Sequence, residues 1–358
     1  MTSGMQSATR LRLSAPRLLR APGPSAPTVV AIWCYLAFSA FVGVLGMQQG
    51  RWYGVIAVAL TPLAFQWRDR PMRLALLLIA GGIILRLTFY GLLDADGLAI
   101  SQGALHAVLE GANPYGHGYA ESIPPGAPFV YGPLALITSA GGAWVELAAG
   151  IVTMALMAWL RSWIALAVYA AAPLAATMTM SGTNDVLPGL LIAAGLLALR
   201  AERAPAAAVL LAAAAAVKPY ALAWYPGVIA LGGVGAAVTL VVATGLLWSP
   251  LLLWGPATFL RSVDMARAFH QTQENALDLP QARVLAAIPF VAGFFSRSWL
   301  AAVLLGTAVF VIVLFFDRWA SMSYWLAVAP ILLIAGEETI VKLWAQRTRS
   351  AQGNQTAT

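Results

Sequence analysis

Residues 74–93, LALLLIAGGIILRLTFYGLL, and the stretch after them, 94–115, DADGLAISQGALHAVLEGANPY, decide how this chain is read. The first run carries a single charge, Arg86, and is long enough to cross the roughly 30 Å hydrocarbon core of a bilayer as a helix. The second collects Asp94, Asp96, His106, Glu110 and an Asn113-Pro114-Tyr115 corner where the chain leaves that run. Polar groups concentrated at one membrane boundary, in a chain otherwise poor in charge, point to a site.

Hydrophobic residues make up 60% of the 358 and charged residues only 10%, which excludes an ordinary soluble globule. Apolar runs fall at 29–47, 53–66, 74–93, 133–160, 162–179, 186–199, 205–218, 221–235, 237–253, 283–295, 298–316 and 320–341. They predict an all-α polytopic membrane protein of roughly ten to twelve transmembrane helices, several of them short enough to be tilted, broken or re-entrant. No composition shift marks off a soluble domain. One transmembrane domain is expected over 29–341, between a basic tail at 1–28 and a second tail at 342–358. The run from Val29 to Met47 is too long for a signal-peptide core and reads as a retained anchor. The single cysteine, Cys34, can build neither a disulfide nor a thiolate metal site alone.

The formal charge of +7 does not imply nucleic acid, because the basic residues stand mostly at span ends. Placing them on the cytoplasmic side puts both termini inside, together with Arg68, Arg70, Arg73, Arg161, Arg200, Arg203 and Lys342. The same assignment puts 94–131, 180–185 and 254–282 outside a cytoplasmic membrane. No Lys or Arg occurs between Arg86 and Arg161, which suits a translocated acidic loop.

Within the first outer loop, Leu98, Leu105, Val108 and Leu109 share a face at helical spacing. That predicts an interfacial helix with Asp96 as its N-cap and Gly111 as its terminator. Asp94 and Asp96, two apart, point to different sides of a helix, so one of them faces any given cavity. The aromatic residues that follow, Tyr115, Tyr119, Phe129 and Tyr131, also suit a membrane interface.

The carriers of a resemblance are Asp96, Gly111, Asn113, Pro114, Tyr115, Phe129, Tyr131, Pro133, Leu134 and Ala135. An acidic residue after an early span, an interfacial helix, G-x-N-P-Y and then F-x-Y-x-P-L-A resembles the polyprenyl-phosphate-mannose-dependent glycosyltransferases of the GT-C superfamily. The match covers about forty residues, with Gly132 standing where that family commonly has a second Pro. The segment from SGTND at 181–185 to Lys218-Pro219 is similar to the same superfamily.

The resemblance implies an integral membrane mannosyltransferase with a GT-C-like bundle, working on the outer face of the plasma membrane. The donor would be a polyprenyl-phosphate sugar and the acceptor a glycolipid or glycan. Asp96 is then the general base, with Asp94 as the alternative, while Lys218 and Arg86 lie near the donor phosphate. Asn113, Tyr115, Tyr131, Asn184, Asp185, His270 and Asn275 would line the substrate site.

Each charge also has a structural account. Asp185 and Lys218 can pair with one another, Arg86 can snorkel or pair with Glu146, and Arg261, Asp264 and Arg267 are spaced for ordinary ion pairs on a surface helix. Phosphate-loop, dinucleotide-binding and zinc-protease motifs are missing, so no cofactor is expected and metal independence is assumed. A second class of function, a transporter or lipid flippase, predicts matching halves with broken spans and charges near the midplane. The sequence has no such halves. A third reading is a structural assembly subunit.

Overall fold

The structure, a computed structural model, describes residues 26–92, 95–123, 125–269, 279–316 and 321–355. Most of it is helical. Apolar residues without charges form α1 (Ala26–Gln48), and a short break at Leu60 separates α2 (Gly54–Ala59) from α3 (Thr61–Gln66). Pro71, preset for a first helical turn, opens α4 (Pro71–Thr88).

The first polar loop contains α5 (Asp96–Leu109) and a minimal antiparallel pair, β1 (Gly118–Tyr119) with β2 (Ala127–Pro128). The helix α5 ends as the sequence predicts. Gly111 takes a φ of +79°, and the amides of Gly111 and Ala112 reach back to the carbonyls of Val108 and Ala107, a glycine-terminated double hydrogen bond.

The apolar run 133–160 is not one straight span. It divides into α6 (Pro133–Ser139) and α7 (Ala143–Trp159), bent by 99° at a Gly141-Gly142 pair whose second member has a φ of +58°. The run 162–179 divides likewise at Pro173 into α8 (Trp163–Ala171) and α9 (Pro173–Met178). Proline cannot donate into the preceding turn, so the helix must restart there.

Next come α10 (Val186–Arg200) and α11 (Ala204–Val217), packed antiparallel through alanines, and a short 3₁₀ turn at Pro219–Trp224. They lead to α12 (Tyr225–Trp248), kinked at Gly233, then α13 (Pro250–Trp254) and α14 (Pro256–Ala268). The chain closes with α15 (Ala287–Gly293), α16 (Trp299–Phe315) and α17 (Trp325–Gln355).

Among the described residues, three stretches are long and apolar enough to cross a membrane, Ala26–Gln48, Pro71–Thr88 and Pro219–Trp254, or four if the bent 133–159 pair counts as one span. The described residues therefore form an all-α protein with helices long and apolar enough to cross a membrane. The longer list of spans expected from the sequence meets shorter helices here, because Pro and Gly interrupt runs that hydropathy alone joins.

The two largest apolar cores organise the bundle. One is built on α10, α11, α16 and α17 around Trp224 and Phe310, and the other on α1, α4 and α8 around Tyr35, Met154 and Tyr169. The helix directions then sort the charges. Glu146 opens α7 and Arg161 follows its end, Asp185 precedes α10 and Arg200 ends it, and α11 returns from Arg203 to Lys218. Asp185, Glu146 and Lys218 therefore share one end of the bundle. The arginines of these helices lie at the other.

Candidate functional site

At that end the 179–185 turn is bonded to the start of α5. The amides of Ala95 and Leu98 donate to the carbonyls of Ser181 (2.6 Å) and Gly182 (2.7 Å). Gly182 has a φ of +89°, and a Cβ there would press on the Ala95 carbonyl, so both conformation and space require glycine. Asn184, at φ +47°, completes the turn in the left-handed region that asparagine tolerates. Its Nδ2 donates to Ser101 Oγ (3.3 Å), while its buried Oδ1 has no hydrogen-bond partner. That oxygen belongs to a residue lining a small cavity shared with Leu98, Ser139 and Glu146.

The turn delivers Asp185 to Lys218. Lys218 Nζ donates to Asp185 Oδ1 (2.7 Å) and to the Thr183 carbonyl (3.0 Å), with both side chains buried. Tyr220 OH donates to the same Oδ1 (3.0 Å) and Ser323 Oγ to Oδ2 (2.8 Å), so the carboxylate holds three donors. Around the ammonium stand the rings of Tyr131, Tyr324 and Tyr220, with centroids 5.0, 5.7 and 5.9 Å away. A desolvated ammonium gains from such ring faces as well as from the carboxylate. The ion pair that the sequence allows between Asp185 and Lys218 is present.

Asp96 stands half-buried at the first position of α5, with Ala95 as the N-cap residue. The expected N-cap role therefore passes to a residue whose side chain cannot perform it. Burial pushes the Asp96 carboxyl above its ordinary pKa, while its own amide, that of Ile123 and the Lys218 ammonium pull it partly back. Gly97, next to it, is packed so that a Cβ would meet Tyr131 OH, the Gly182 carbonyl and Asn184 Oδ1 within 3.5 Å. Asp96, Tyr131, Asn184, Asp185 and Lys218, drawn from four segments, thus gather at one end of the bundle.

The other expected site residues have different duties. Arg86 is fully buried, and its guanidinium donates to the carbonyls of Gly82, Ala170 and Tyr169, each at 3.0 Å, while lying over the Tyr169 ring. It is a brace on the C-terminal end of α8, where a cation also meets the negative end of the helix dipole. Its two terminal nitrogens are held by those carbonyls while its buried Nε has no hydrogen-bond partner among the described residues, and it neither snorkels nor pairs with Glu146.

Asn113 bonds the Trp254 carbonyl (2.6 Å) and Thr258 Oγ1 (3.2 Å), and its Oδ1 accepts from the Tyr115 amide. Tyr115 OH donates to the Tyr131 carbonyl, and its ring packs on Phe129, Trp254 and Phe259. Both residues join the first polar loop to α13 and α14. Gly116 does the same through Ser262 Oγ (2.8 Å). Further along α14, Asp264 and Arg267 form the expected exposed pair at 3.4 Å. Asp94, His270 and Asn275 lie outside the described residues.

Glu146 is a member of the site that the expected set lacks. Its Oε2 accepts from the amides of Val186 (2.6 Å) and Leu187 (3.3 Å), filling the positive first turn of α10 immediately after Asp185. A lone carboxylate inside the apolar run 133–160 was the available signal. Ser323 and Tyr324 had none, because a Ser-Tyr pair in an apolar region is unremarkable in sequence.

Gly132 also gains an explanation. A Cβ at this position would overlap the Ala216 carbonyl, and its amide donates to Val217, so the entry to α6 lies directly on the end of α11. A proline would carry the same Cβ and lose the donor. Among the described residues, no cluster of His, Cys, Asp and Glu is grouped to hold a metal ion.

These features define a membrane-embedded α-helical protein with a buried, charge-paired polar site at one end of its bundle. In comparisons with known proteins, no family model, curated protein or solved structure matches the chain.

Proposed function

We propose that the chain is an integral membrane glycosyltransferase that moves a sugar, mannose by resemblance, from a polyprenyl-phosphate donor to a glycolipid or glycan acceptor. In this reading it is a GT-C-like polytopic bundle in the cytoplasmic membrane, with both termini inside and the Asp96 site at the outer face. The observation that carries the reading is convergence. A half-buried carboxylate with a raised pKa lies within the field of a buried lysine, at the membrane end where the polar loops meet.

Asp96 takes the proton of the acceptor hydroxyl as that oxygen attacks the anomeric carbon. The carbon–phosphate oxygen bond breaks on the opposite face, inverting the centre, and the electron pair leaves with the lipid phosphate. Burial raises the basicity of Asp96, which suits proton removal near neutral pH. Lys218 supplies positive charge on the leaving side, where preorganised charge in a dry site acts more strongly than in water. Asp185, Tyr220 and Ser323 hold that lysine, and Asp185 must share it when a phosphate arrives.

The test is transfer from a radiolabelled polyprenyl-phosphate mannose by the purified, reconstituted protein. Asp96→Asn should lower turnover by about 10²–10⁴-fold, the usual worth of a general base, while leaving folding intact. Full activity in Asp96→Asn removes the base assignment. Solute uptake without release of sugar from the donor replaces the reading with transport.

A further inference from the structure

We propose that the outward-facing groove between α2-α3 and α4 binds an anionic glycerophospholipid, with an acyl chain along the groove and the phosphate on Arg73. The groove has a volume of about 540 Å³. Leu60 and Leu63 form one wall, and Leu76, Leu77 and Ala80 form the other. Trp67 and Arg73 close one end. Its volume lies in the range of ligand sites, about 300–1,000 Å³, and its walls are aliphatic.

The groove exists because Gly54–Gln66 is too short to cover its neighbour. That apolar stretch spans about 20 Å at 1.5 Å per residue, against a hydrocarbon core of about 30 Å. Leu63 and Leu76 are consequently exposed on the outside of the bundle. At membrane depth such a concave aliphatic surface is filled by a lipid chain, since an empty gap forfeits dispersion contacts.

Charge selects the lipid. The turn from 68 to 73 contains Arg68, Asp69, Arg70 and Arg73, three cations against one anion, for a net +2. Arg68 is the partner of Asp69 at 3.7 Å. Arg73 has no carboxylate partner among the described residues and lies over the Trp67 ring at 5.9 Å. A guanidinium stacked on an aromatic ring keeps its N–H edge for a bidentate phosphate, and Trp is the residue that anchors at the headgroup level.

This groove is separate from the polar site. Arg73 stands in the first turn of α4, about 23 Å along the helix axis from the Thr88 end that leads to Asp96. Its occupant therefore belongs to the leaflet opposite the site.

The experiment is native mass spectrometry of the full chain in detergent with dioleoyl phosphatidylglycerol or dioleoyl phosphatidylcholine added at equal concentration. Wild type should retain one phosphatidylglycerol at least fivefold over phosphatidylcholine. Arg73→Gln should abolish that preference, and Leu76→Trp, which fills the groove but keeps the arginine, should reduce retention of both lipids. Both positions are exposed, so the variants are expected to fold, and a thermal melt checks this. Unchanged preference in Arg73→Gln, or unchanged retention in Leu76→Trp, overturns the site. Retention of added undecaprenyl phosphate in place of phosphatidylglycerol overturns the choice of occupant.

Discussion

Replacing Lys218 with methionine removes one half of a buried ion pair and leaves Asp185 with only the hydroxyls of Tyr220 and Ser323. At the 2.7 Å contact and an effective dielectric near 20, the direct attraction is about 6 kcal/mol. Desolvating the two ions costs several kcal/mol each, so the pair contributes little net stability. Breaking it is a different matter, because the surviving carboxylate stays buried without its cation. We expect Lys218→Met to cost about 3–5 kcal/mol of folding stability, and Lys218→Met with Asp185→Asn to cost much less than the two single losses added. The assay is unfolding by SDS titration in mixed micelles for wild type, both single variants and the double variant. A loss below about 1 kcal/mol in Lys218→Met, or additive single effects, would refute the reasoning.

Three further outcomes follow from other contacts. Gly132→Ala should destabilise by about 1–3 kcal/mol through overlap with the Ala216 carbonyl, measured as a lower melting temperature, whereas Gly50→Ala meets no neighbouring atoms and bears only the strain of its positive φ. Arg86→Met strands the Tyr169 and Ala170 carbonyls, at about 1–3 kcal/mol for each, and Arg86→Lys should recover part of that loss in the same melt. For transfer activity, burial sets the acid limb of kcat/KM above the ordinary carboxylate range. Lys218 opposes that shift, so Lys218→Met should move the limb of whatever activity remains to higher pH. A downward move in the pH profile contradicts the electrostatic account.

Some of this molecule was legible in its residues. The helix over 96–109, its glycine stop at 111 and the meeting of Asp185 with Lys218 follow from local spacing and from the cost of a lone buried charge. What escaped was decided by contacts distant in sequence. Arg86 reads as a phosphate ligand until the carbonyls 83 and 84 positions later are seen to accept its protons. Asn113 and Tyr115 read as substrate contacts, yet the partners that occupy them come from α13, α14 and the Tyr131 backbone. The three rings around Lys218 arrive from separate segments, so no spacing rule could group them. The break inside 133–159 was hidden for a simpler reason, since hydropathy sums across a Gly-Gly bend that the backbone does not cross straight.

The short helix α8 has a consequence for how the protein is made. Glu337 accepts from the Ala165 amide at its start, and Arg86 holds the carbonyls at its end, so its two terminal charges come from helices synthesised long after and long before it. Arg86 leaves the ribosome more than eighty residues ahead of Tyr169 and Ala170, its acceptors on α8. Until α8 arrives, the guanidinium lies in the last turn of an apolar helix and must reach toward the headgroups or water. A nascent chain ending before residue 163 therefore holds α4 less deeply in the bilayer than the finished protein does. Seating of this early span waits on a segment translated far downstream.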